Sequence, residues 1–82
     1  MPTVCRIGPY RLLFYSNEGG LREPMHVHVK RDSSEAKVWL TNPVPKIARS
    51  TGFADHELSA ILDIVAGRRD EIEAEWNGHF GI

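Results

Sequence analysis

His26-Val27-His28-Val29, two residues after Pro24, is the stretch whose reading decides the fold. In an extended strand successive side chains point to opposite faces, so His26 and His28 share one face and Val27 and Val29 the other. Such a strand buries its valines and turns two imidazoles to water. The next alternating run lies a short turn away: after Asp32-Ser33-Ser34, Glu35 to Leu40 sets Ala36, Val38 and Leu40 on one face and Glu35, Lys37 and Trp39 on the other. A slip of one residue would put Val27 against a polar-face residue, so matching the apolar faces fixes the parity of pairing. A two-residue Asp32-Ser33 turn places Val29 by Ala36 and Val27 by Val38. The opposite face then pairs Lys30 with Glu35, His28 with Lys37, and His26 with Trp39, with other registers of the same parity open.

Toward the N-terminus, Thr3 to Ile7 and Arg11 to Tyr15 are β-prone runs separated by Gly8-Pro9 and read as a hairpin. Asn17 to Pro24 carries Gly19, Gly20 and charged residues, which is loop chemistry. Toward the C-terminus, Pro43 and Pro45 end the fourth strand because proline cannot donate to a ladder. Lys46 to Ser50 is a connector, either an edge strand or one helical turn. From Asp55 the pattern turns helical: Leu58, Ile61, Leu62 and Val65 keep the i, i+3, i+4, i+7 spacing. Ile72, Trp76 and Phe80 extend the same stripe, with Gly67 between, so the spacing predicts one kinked helix or two breaking near Gly67-Arg68 and fraying from Asn77. The expected fold is a single α+β domain, a four-stranded antiparallel sheet with the helices across one face. The other face is left without a second layer.

At 82 residues the chain forms one core with a thin stability margin. A partner or a second copy, as in a homodimer, would widen it. Its 10 Lys and Arg nearly balance 11 Asp and Glu, so a nucleic-acid contact would need a local patch. Cys5 stands alone and reads as a buried, inert thiol. No leader-like or membrane-spanning apolar run is present, which points to a reducing cytoplasm.

Three chemistries compete for the histidine face. As a metal site, two strand-borne imidazoles fall short of the three or four ligands zinc requires; Glu18, His56 and His79 are conceivable further donors, and Lys37 beside His28 repels a cation. No metal or other cofactor is expected. As a metal-independent ribonuclease, His26 and His28 would serve as acid and base, Lys37 would meet phosphate charge, and Glu18 would orient an imidazole. Lys30, Arg31 and Arg22 would add phosphate contacts, and Trp39 would stack on a base. As a binding surface, an exposed tryptophan beside positive side chains suits a protein interface equally well.

The chain resembles the small prokaryotic family catalogued as domain of unknown function 4160. The matching stretches are Pro2-Thr3-Val4 with Arg6, Phe14 to Glu18, Pro24-x-His26-Val27-His28-Val29, Glu35-Ala36-Lys37-x-Trp39-Leu40, Gly52-Phe53 and Trp76-Asn77-x-x-Phe80. Met25, Ala54 and Gly67 depart from that pattern and bear on loop shape and helix stability rather than on the histidines. The resemblance carries no activity. It implies a toxin–antitoxin-like gene pair and a small cognate protein encoded next door, and its motif points to Glu18, His26, His28, Lys37 and Trp39. The reading is a component of such a module that binds its partner and acts as a metal-independent ribonuclease. The alternative is a non-catalytic module that uses the polar sheet face as an interface.

Overall fold

The computed structural model describes residues 3–15 and 24–80, with nothing stated of the side chains of residues 79 and 80. Glu18, Arg22 and most of the loop expected over residues 17–24 lie outside the described residues, as do the His79 and Phe80 side chains. Five strands, β1 (Thr3–Ile7), β2 (Tyr10–Leu13), β3 (His26–Arg31), β4 (Ser34–Trp39) and β5 (Lys46–Thr51), precede α1 (Asp55–Gly67) and α2 (Arg69–Phe80). The strands form one antiparallel sheet in sequence order. The four-stranded expectation is corrected by β5, whose residues are exposed apart from a half-buried Ile47. A polar edge strand shows little alternation, which is why its sequence leaves strand and helical turn open.

The β3–β4 register is the one that a two-residue Asp32-Ser33 turn predicts: His26 opposite Trp39, Val27 opposite Val38, His28 opposite Lys37, Val29 opposite Ala36 and Lys30 opposite Glu35. Asp32 opens the connecting turn at φ 54°, a left-handed conformation that a short polar side chain tolerates. On the valine face Leu12, Val27, Val29, Ala36 and Val38 pack beneath Ile61 and Val65 of α1 and Ile72 and Trp76 of α2. Phe14 meets the Trp76 indole edge-on at 5.4 Å.

The helical stripe breaks at Arg68 (φ −112°, ψ 16°), whose N–H donates to the Ile64 and Val65 carbonyls. Two helices therefore form, and the second runs through Phe80 instead of fraying from Asn77. Arg69 clamps α2 to the sheet, donating to the Thr41 carbonyl at 2.7 Å and to that of Leu40 at 2.8 Å while its Nε meets Glu73 at 2.6 Å. Cys5 is half-buried. Burial pushes its thiol up, Glu71 adds to the rise and Arg68 opposes it, so the group stays protonated near neutrality. Among the described residues no helix is long and apolar enough to cross a membrane.

Candidate functional site

His26 and His28 do share the face opposite the valines, but they do not meet water. Their exposures are 1% and 0%, and that of Lys37 is 6%. The expectation of a wet, unlayered face is corrected at its centre. Flat and long side chains lie across the imidazoles. The Tyr15 ring sits 4.3 Å from that of His28, Trp39 stands edge-on to His26 at 5.5 Å, and Lys37 Nζ lies 4.6 Å from the Trp39 centroid. Trp76 of α2 also reaches His26, at 5.2 Å, closing that end of the sheet with aromatic rings.

The polar contacts of each imidazole are specific. His26 Nδ1 lies 2.9 Å from the Pro24 carbonyl. A carbonyl only accepts, so Nδ1 carries the proton and Nε2 the lone pair in the neutral ring. His28 Nδ1 lies 3.0 Å from Glu35 Oε2, an ion-pair distance without the alignment of a hydrogen bond. The same carboxylate oxygen accepts from the Tyr15 hydroxyl at 2.8 Å. The two imidazoles stand edge to face with centroids 5.4 Å apart.

Of the residues expected at the site, His26, His28, Lys37 and Trp39 come together. Lys30 shares their face but lies one row away. Arg31 does not join them: it sits on the helix side, paired with Glu57 and stacked over Phe53 at 5.3 Å and Tyr10 at 5.9 Å. Its odd number in β3 places it with the valines, so a phosphate contact shared with the imidazoles is not available to it.

Two site residues escape the sequence reading, Tyr15 and Glu35. Strand pairing matches Glu35 with Lys30, its direct cross-strand partner, yet its carboxylate turns to the diagonal neighbour His28, within reach of a long side chain. Leu13 pairs with His28, so the alternation continues to Tyr15 on the same face. Parity carried past the end of β2 is the signal that finds it.

Beside this cluster a cleft of about 280 Å³ is lined by Ser33, Glu35, Lys37, Arg49, Ser50 and Thr51, where β4 meets the edge strand. Among the described residues no group of three or more His, Cys, Asp or Glu is placed to hold a metal ion.

A five-stranded antiparallel meander with two helices on one face and a histidine–carboxylate–tyrosine cluster on the other defines a small α+β domain. The chain belongs to the DUF4160 family, described as a domain of unknown function, whose profile matches residues 10–77 and so spans the whole cluster. No curated protein and no solved structure matches the chain.

Proposed function

We propose that this protein is the binding component of a toxin–antitoxin-like module in the cytoplasm, and that it docks a small protein encoded by a neighbouring gene. The docking end of the polar sheet face is the one built by Trp39 and the exposed edge-strand residues Lys46 and Arg49. The observation that carries this reading is the burial of the imidazoles. A general base must come within hydrogen-bond reach of the proton it takes, and His26 and His28 are covered by their neighbours. Their contacts hold the face in shape, while Trp39, half-buried beside the cleft, keeps surface to offer. Tryptophan framed by cations is the residue type that most often dominates an interface.

A second reading, metal-independent cleavage of RNA, is favoured by one observation. Glu35 Oε2 stands 3.0 Å from Nδ1 of His28, an imidazole–carboxylate pair of the kind that acid–base catalysis uses, with Lys37 on the opposing strand.

Titration calorimetry with the product of the neighbouring gene, run alongside a labelled-RNA cleavage assay, separates the two. On the binding reading Trp39→Ala weakens partner affinity by roughly 30-fold, the size of an interface hot spot, and RNA stays intact at every pH. On the catalytic reading cleavage follows a bell-shaped pH profile that is lost in folded His28→Ala and His26→Ala proteins. Growth arrest on expression, relieved by the neighbouring gene, supports the module itself; unimpaired growth with no binding counts against both.

A further inference from the structure

Arg6, Arg11 and Lys30 stand directly opposite one another across β1, β2 and β3, on the same sheet face as the imidazoles. Neighbouring strands lie about 4.8 Å apart, and like charges set directly opposite destabilise a sheet. Two such pairs in succession are a liability in so small a domain. Glu35, the register partner of Lys30, turns its carboxylate to Tyr15 and His28 instead. Among the described residues Arg6, Arg11 and Lys30 make no ion pair, and the buried Arg11 Nε has no hydrogen-bond partner.

The row borders a hollow of about 260 Å³ lined by Arg6, Pro9, Arg11, Lys30, Arg31 and Asp32. Among the described residues Asp32 is the one carboxylate on its wall, and Arg31 is already committed to Glu57. Lys37, Arg49 and Lys46 extend the positive charge along the same face. The helices across the sheet carry Asp55, Glu57, Asp63, Asp70, Glu71, Glu73 and Glu75 against Arg68 and Arg69. A near-neutral total therefore conceals a cationic sheet face and an anionic helical one.

We propose that the Arg6–Arg11–Lys30 row binds the phosphodiester backbone of a single-stranded nucleic acid, whose phosphates supply the missing counter-charge. Among the described residues the wall of the hollow offers no apolar side chain beyond Pro9, whereas a protein interface centres on desolvated apolar and aromatic groups. Trp39 on the same face adds an aromatic surface, and cations tracking a backbone beside an aromatic ring are the usual pairing at single-strand sites. The row shares the sheet face of Trp39, two register rows from it, and does not depend on any chemistry of His28.

The test is fluorescence anisotropy with a short labelled 2′-O-methyl oligoribonucleotide, which cannot be cut through its 2′-hydroxyl, so binding is read apart from cleavage. Affinity should fall linearly on a log–log plot against salt. The Arg6→Gln/Arg11→Gln/Lys30→Gln protein should flatten that slope by about 2, at about 0.7 for each phosphate that is no longer neutralised. Arg68→Gln, on the helical side, should leave it unchanged. The triple variant should also melt above the parent protein, because it removes the repulsion, and that melt establishes that it is folded. No binding, an unchanged slope, an equal loss in Arg68→Gln or displacement by polyglutamate at equal charge would overturn the assignment. A triple variant that melts lower would remove its physical basis.

Discussion

Glu57 joins three pieces of the fold through one carboxylate. It accepts from the Ala54 N–H at 3.0 Å, caps the first turn of α1, and pairs with Arg31 at the far end of β3. The Ala54 hydrogen bond first, and the Arg31 guanidinium second, hold its carboxyl below the usual 4.5. A depressed folded-state pKa stabilises the fold at pH values above the unfolded one, and that stabilisation is lost as pH falls through the folded value. Urea unfolding of the parent protein should thus lose stability more steeply below about pH 4.5 than Glu57→Gln does. Equal slopes would show that another carboxylate governs acid unfolding. At this scale the sequence is legible only in part. Ala54 stands out as a missing cap opposite Glu57, but Arg31 reads as a phosphate contact, because residue type says nothing of which partner lies across the helix–sheet gap.

Elements are joined here by turns whose backbone demands can be tested singly. Gly52, between β5 and α1, has φ +87°, and a Cβ there would stand 2.4 Å from Ser34 Oγ and 3.1 Å from Ser34 Cβ. Gly52→Ala should therefore destabilise by about 1–3 kcal/mol, from the left-handed backbone and the collision together. Ala54→Ser acts in the opposite direction. Ala54 already holds the extended N-cap conformation, φ −77° and ψ 163°, without a side-chain acceptor. A hydroxyl there should add about 1 kcal/mol by accepting from a first-turn N–H. Urea midpoints measure both, and a neutral Gly52→Ala would show that the turn yields. The interruption of the helical stripe near Gly67 and the parity of the β3–β4 pairing are readable from spacing alone, since each is set by where apolar residues fall relative to their neighbours. The fifth strand is not, because an exposed edge draws its order from ladder hydrogen bonds to β4 rather than from its own pattern.

For the whole molecule, a total stability of about 4–12 kcal/mol follows from the usual range per residue for 82 residues. Ile72 is fully buried between α2 and the sheet. Ile72→Ala should cost about 2–5 kcal/mol and bring the domain close to unfolding at room temperature. Val44→Ser, at a side chain 54% exposed, should stay within about 0.5 kcal/mol. Comparable losses from the two would mean that the core does not carry the fold. By itself the sequence determined which residues share a face, the parity with which β3 and β4 pair, and the region near Gly67 where the helical stripe is interrupted. Those follow from backbone periodicity and the burial of apolar groups. Only the tertiary structure decided that the imidazoles are covered, that Glu35 reaches diagonally to His28, and that cations and carboxylates separate onto opposite sides. Burial and charge separation depend on which side chains from distant segments lie across a face, and periodicity along one chain does not encode that.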